Sequence, residues 1–281
     1  MLDVSENVEL VSLTIASCGK MNAIDLSKNV KLDNLDLSGN HDNQDSKDKS
    51  YTTLDLSANT ELTSLRIVDC SMPVLDLSAN AKLTSLVLGS KCITSLDLSS
   101  ITNLTSLSLW CWNITTLDLS QLLELRTVSV SDCNNLTSLK LSPEMTKLGA
   151  DKDIDEVARD TWQQYAVSLS WLYSLKDECM DAFIESLPVV DKTVIINVWC
   201  DVSITYDQIK KLTAKGWVVF YKGSDGDLYN TLQNPIATGI YSPKQSSRQS
   251  ADSPLFDLQG HRLRGTPQRG LYIREGRKVI K

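Results

Sequence analysis

An L-x-L triplet returns every 21 residues through the middle of this chain, and that period constrains the fold more than any other feature. The triplets form two alternating series. Series A is Leu13-Ile15, Leu35-Leu37, Leu65-Ile67, Leu86-Leu88, Leu107-Leu109 and Val128-Val130. Series B is Ile24-Leu26, Leu54-Leu56, Leu75-Leu77, Leu96-Leu98, Leu117-Leu119 and Leu139-Leu141. A fixed period in the twenties marks a solenoid, in which each coil buries its leucines against its neighbours. In an extended segment residues i and i+2 share one face, so both members of each triplet point inward. Each coil is expected to supply two short extended segments joined by turns.

The stretch "LTSLRIVDCSM" from Leu62 fits L-x-x-L-x-L-x-x-(N/C)-x-L, and "LTSLVLGSKCI" and "LTSLSLWCWNI" fit it apart from the ninth position. On these residues the chain resembles the leucine-rich-repeat family. The "LDLSAN" half-repeats at Leu54–Asn59 and Leu75–Asn80 are similar to the 21-residue internalin-like repeats of bacterial surface proteins. The resemblance covers about residues 10–142. It implies an α/β solenoid, a curved superhelix of mostly β/turn coils whose A segments line the concave face.

At the ninth position an Asn can hydrogen-bond backbone groups of the turn after each strand. Cys18, Cys70 and Cys133 stand there, where a thiol serves as a small buried hydrophobe. The seven cysteines are an odd number, so at least one is unpaired, and none has C-x-x-C metal spacing. Buried free thiols are the expectation; neighbouring coils would present their Cβ atoms in parallel, which suits a disulfide poorly.

Beyond Ser142 the pattern changes. "SLKDECMDAFIESLP" has helical spacing, with Ser174 as N-cap and Pro188 past the end. "TVIINVW" reads as a buried strand. "TYDQIKKLTAKG" reads as a second helix, with Thr205 and Gln208 as a capping box and Gly216 as its stop. "WVVFY" is a further strand. These are coils in which a helix replaces series B. The expected organisation is a solenoid over 1–221, with helix-containing coils from about 151, a linker over 222–253, and a small β tail over 254–281.

The tail, "SPLFDLQGHRLRGTPQRGLYIREGRKVIK", shows three extended segments divided by turn signals. It resembles the C-terminal sorting-type domains of secreted Bacteroidetes proteins linked to type IX secretion, through Phe256–Gly260, Gly270–Ile273 and the basic end Lys278–Lys281. The resemblance implies export to the cell surface or beyond. No secretory signal precedes the repeats, so the expectation is that the N-terminus is incomplete. No apolar run is long enough to span a membrane.

The formal charge of −7 is uneven. Residues 254–281 carry seven basic and two acidic side chains, +5, which leaves −12 for the rest. So acidic a body argues against nucleic acid as a partner.

Catalytic constellations are nearly absent. The two histidines, His41 and His261, lie far from any nucleophile pattern, and no P-loop, G-x-S-x-G or H-E-x-x-H stretch occurs. The oxygen-rich "HDNQDSKDKS" from His41 lacks the turn Gly and terminal Glu of a calcium loop and reads as a solvated insertion. Asp25, Asp55, Asp76, Asp97 and Asp118 recur in the B triplets. Five equivalent copies point to a structural ladder or, as the alternative, a cation-binding face. No enzyme activity, cofactor or metal is expected.

The outward positions of series A differ from coil to coil. Arg66, Val87, Ser108 and Ser129 make one row, and Val68, Gly89, Trp110 and Ser131 the next. With Asp69 and Asp132, the residues Arg66, Val68, Val87, Ser108, Trp110 and Ser129 are the expected ligand-binding set. Trp110 either faces a partner or packs on Trp112. The expected partner is a protein on a host or bacterial surface, with a glycan as the alternative, bound by a monomeric chain.

Overall fold

The computed structural model describes residues 2–16, 23–37, 51–150, 165–190, 194–199, 202–222 and 228–231, and four short strands between 255 and 280. His41, His261, Cys18 and the insertion at 41–50 lie outside the described residues. The chain forms two units, Met1–Pro235 and Ile236–Lys281.

Unit one holds β1 (Ser12–Thr14), β2 (Asn34–Leu37), β3 (Ser64–Cys70), β4 (Ser85–Ser90), β5 (Ser106–Cys111), β6 (Thr116–Asp118), β7 (Thr127–Ser131), β8 (Ser138–Lys140), β9 (Val167–Ser170), α1 (Asp177–Ser186), β10 (Ile195–Trp199), α2 (Tyr206–Ala214), β11 (Val218–Lys222) and β12 (Leu228–Asn230). Its main sheet runs β1-β2-β3-β4-β5-β7-β9-β10-β11-β12. Every pairing is parallel except the last, so the chain returns to the same side after each coil. Leu13, Leu35, Leu65, Leu86, Leu107, Val128 and Val167 stand in successive cross-strand register. From Leu35 onward these side chains are buried, and Leu86 is wholly enclosed.

One backbone clamp repeats from coil to coil. The Val11 carbonyl accepts the amides of Asp33 and Asn34, that of Asp33 those of Thr63 and Ser64, that of Thr63 those of Thr84 and Ser85, and that of Thr84 those of Thr105 and Ser106. This bond pair enters each strand at the same height, which keeps the 21-residue period in register.

Series B behaves differently from the expectation. Among the described residues only β6 and β8 pair as strands here, with Leu117 opposite Leu139. Elsewhere the carbonyls of these segments serve turns. The Leu26 carbonyl accepts the Asn29 amide and also the Asn59 side chain of the next coil. Leu54 and Leu96 are accordingly half-buried, while their partners Leu56 and Leu98 are buried.

In the last coils α1 lies between β9 and β10, and α2 between β10 and β11. Helix α1 packs beside β8 and α2, so the helices continue the row of B segments. Thr205 and Gln208 form the reciprocal capping box, and Gly216 takes φ +90° at the end of α2. Ser174 is not the N-cap of α1. That position is Lys176, without a side-chain cap, because the Ser174 hydroxyl donates to the Asn134 carbonyl at 2.7 Å. Past Tyr221 the sheet continues: β12 pairs antiparallel with β11, and the Thr231 amide reaches the Val219 carbonyl. The stretch expected as linker from 222 therefore begins inside the sheet.

The second unit contains β13 (Leu255–Phe256), β14 (Arg262–Leu263), β15 (Leu271–Arg274) and β16 (Arg277–Ile280), antiparallel in the order β14-β13-β15-β16. Four strands form where three segments were expected, because residues 271–280 supply two, β15 and β16.

Candidate recognition surface

The outward row of the sheet runs Thr14, Asp36, Arg66, Val87, Ser108, Ser129, Ser168 and Asn197 in register. The expected residues Arg66, Val87, Ser108 and Ser129 are thus brought side by side. Arg66 is exposed and pairs loosely with Asp36, Nε to Oδ2 3.8 Å. Ser168 and Asn197 are buried, so the accessible part of this row lies on β1 to β7.

The second row is less regular than the sequence implies. Gly89 stands opposite Trp110, but the register slips after Ile67, so that Cys70 rather than Val68 leads into the next strand. The cause is Asp69, whose φ of +61° inserts one residue as a bulge. Asp132 does the same at the end of β7 with φ +52°. Asp tolerates this left-handed backbone better than most residues. Asp69 and Asp132 are therefore bulge residues as well as members of the expected ligand set.

The expected buried column of free thiols is present and takes in more residues than the ninth position alone supplies. Cys70, Ser90, Cys111 and Cys133 fill one buried column, although Ser90 and Cys111 come one position earlier in their repeats. The Ser90 hydroxyl donates to the Cys70 carbonyl, and the Cys111 amide bonds Cys133 Sγ at 3.2 Å. The thiols of Cys70, Cys111 and Cys133 are free. Burial pushes their pKa values up, to about 12 for Cys133, so they are inert as nucleophiles.

Trp110 is half-buried, with its indole laid across the neighbouring strand where a side chain at Gly89 would be. A Cβ there would come within 2.0 Å of Trp110 Nε1. Gly89 is thus the residue that lets Trp110 lie flat. Trp112 does not stack on it; its ring faces Lys91 Nζ, 4.8 Å from the centroid.

The opposite side repeats more regularly, through five aspartates. Asp25, Asp55, Asp76, Asp97 and Asp118 each accept the amide of the serine two residues on at 2.9 Å. Asp3 and Ser5 do likewise, revealing an additional half-repeat, Leu2-Asp3-Val4-Ser5-Glu6-Asn7, that alignment against Leu54–Asn59 would have found. Hydrogen bonds from the Ser amide and hydroxyl hold all six carboxyls below the usual carboxylate range. Lys140 takes the position in the next coil and meets Asp118 at 3.5 Å, ending the ladder. Two shallow depressions open on this side, one beside Asp25 and Asp55, the other beside Asp97, Asp118 and Lys140. Among the described residues no group of three potential metal ligands converges.

Two further columns escaped the sequence reading. Asn29, Asn59 and Asn80 are fully buried, and each Nδ2 donates to two carbonyls of the coil before. The asparagine ladder therefore follows series B, not the ninth position after series A. One residue before the next inward leucine, Glu9 pairs with Lys31 (2.5 Å), Glu61 with Lys82 (2.5 Å) and Glu124 with Lys147. The signal for both was present in the sequence, as asparagines at equivalent positions of successive coils and as Glu and Lys alternating one coil apart.

The inward leucines, the stacked turn columns and the parallel register together define a leucine-rich-repeat solenoid of β/turn coils with helices in its last coils. No family model matches the chain, and no curated protein matches it. Among solved structures it is similar to the functional domain of InlJ from Listeria monocytogenes, described as including a cysteine ladder. The identity is 23%, the TM-score 0.46, and the match covers 79% of this chain and 45% of the other. The chain thus spans under half of that structure's length. Among the described residues no helix is long and apolar enough to cross a membrane.

Proposed function

We propose that this is a non-enzymatic recognition protein, secreted or held at a bacterial cell surface, that binds a protein partner through the outward sheet face on β3 to β7. One observation carries the reading. Inward leucines and the backbone bonds of the turns repeat coil after coil, while Arg66, Val87, Ser108 and Ser129 stand adjacent and all but the serines differ. A scaffold that repeats beneath a surface that varies leaves that surface free to encode recognition. Trp110, flat on Gly89, supplies a rigid aromatic anchor of the kind enriched among binding hot spots.

Presenting the purified chain to arrays of extracellular proteins and of glycans separates the two ligand classes. For a protein that binds, Trp110→Ala weakens affinity at least about tenfold, roughly 1.4 kcal/mol. Asp76→Ala, on the other side of the coil, leaves it unchanged. The reverse ranking overturns the assignment of the face.

Surface localisation rests on the resemblance of residues 254–281 to sorting domains of Bacteroidetes secretion. Deleting them in the native host should leave the solenoid folded but retained within the envelope; undiminished surface display removes that part of the proposal. A glycan is the competing ligand class, and the exposed aromatic side chains that would suit it lie at the ends of the strands.

A further inference from the structure

Just past the buried column at the ends of β5 and β9, Trp112 and Tyr173 are exposed at 43% and 52%. Each directly follows a buried residue, Cys111 and Leu172, and Asn134 follows Cys133 just past β7, the strand between them. Strands β5, β7 and β9 are successive in the sheet. The two aromatic positions are therefore two strand spacings apart, roughly 10 Å. Lys91 holds the same place at the end of β4, and its ammonium is already engaged with the Trp112 ring.

A second observation is independent of these. The bulge position that Asp69 and Asp132 fill on β3 and β7 is occupied on β9 by Trp171, at φ +50°. For a bulky aromatic residue that backbone is a genuine outlier, and it leaves the side chain 36% exposed. Strained backbone of this kind clusters at ligand-binding positions.

We infer that this strand-end rim, formed by Trp112, Trp171 and Tyr173 with Asp132 and Asn134 between them, is a binding site for a neutral glycan chain. The C–H face of a sugar ring is apolar and stacks on an aromatic ring, while its hydroxyls bond carboxylates and carboxamides. The rim offers both in alternation. Asn134, half-buried, separates Trp112 from Tyr173. The aromatics are thus spaced singly among polar groups, as successive sugar rings require, rather than merged into the apolar patch of a protein interface. Charge disfavours an anionic chain, since Asp132 lies in the rim and the chain before the tail carries −12. The site is separate from the sheet face, and either assignment can fail alone.

The test is calorimetric titration of the full chain with hexasaccharides of β-1,4-linked glucose, mannose and N-acetylglucosamine, and with an oligogalacturonate as the anionic control. At least one neutral chain is expected to bind, and the anionic one not. Trp112→Ala and Tyr173→Ala should each weaken that binding tenfold or more without lowering the melting temperature, since both side chains are exposed. Arg66→Ala should leave it unchanged. Absence of binding by all three neutral chains, or binding that both rim variants leave intact, overturns the inference. If instead a protein partner loses affinity in both rim variants and no saccharide binds, the rim belongs to the protein interface; the inference then falls while the proposed function stands.

Discussion

The early and late coils of the solenoid close the same turn with opposite chemistry. Up to Asn80 the turn column is asparagine, and each Nδ2 ties two carbonyls of the preceding coil. From Ile101 the column is Ile101, Leu122 and Met145, equally buried. The backbone does not register the change. Ile101 N to Leu98 O and Leu104 N to Ile101 O repeat the bonds that Asn80 and Leu83 make one coil earlier. The turn is therefore set by features common to both halves, the Asp-x-Ser bond and the inward leucines. The column adds either cross-coil hydrogen bonds or apolar burial. The asparagines carry a cost, since Oδ1 of Asn29, Asn59 and Asn80 is buried without a partner.

The largest expected effect tests what the halves share. Leu86→Ala should lower unfolding free energy by about 2–5 kcal/mol, because the side chain is wholly enclosed between coils. A loss under about 0.5 kcal/mol in a denaturant titration would mean the inward register is misassigned. The column comes next. Asn59→Ala should cost about 1–3 kcal/mol by removing two buried hydrogen bonds. Asn59→Leu, which copies Leu122, should recover most of that loss if the two chemistries are interchangeable. A cost as large as that of the Ala variant would show that the early coils depend on the amide itself.

A smaller effect follows from the aspartates, which span both halves. Their folded pKa values are depressed, so they contribute stability above the ordinary carboxylate range and lose it as pH falls through the folded values. The denaturation midpoint should drop on acidification below that range, and Asp76→Asn should flatten the dependence by its share. An unchanged slope would remove the ladder from the account of acid sensitivity. The smallest effect is expected from the Glu61–Lys82 pair. It is exposed on both sides, and Lys82→Ala should cost at most about 1 kcal/mol, less at high salt.

Much of the architecture was legible in the primary structure because it is local and periodic. Alternation along a strand decides that Leu65 and Ile67 turn inward while Arg66 turns outward. The 21-residue spacing then decides that Arg66 meets Val87. The capping box at Thr205 and Gln208 and the glycine at 216 were equally readable, each being contained within a few consecutive residues. The B segments were readable only as buried, not as paired. Whether they form strands depends on which groups the adjacent coil offers their carbonyls, as at Leu26.

What tertiary structure alone decided are relations between residues one coil apart whose repeats differ in length. Cys70 and Ser90 share a column only because Asp69 turns left-handed and absorbs a residue. Trp110 lies flat only because the strand beside it carries Gly89. Trp171 joins the bulge position of Asp132 across a sequence separation that no repeat count predicts. The sequence by itself determined the period, the buried face and the polar turns, since these follow from backbone geometry within one coil. Register across bulges and the side chains gathered at the strand ends follow from hydrogen bonds between coils, and those exist only once the coils are stacked.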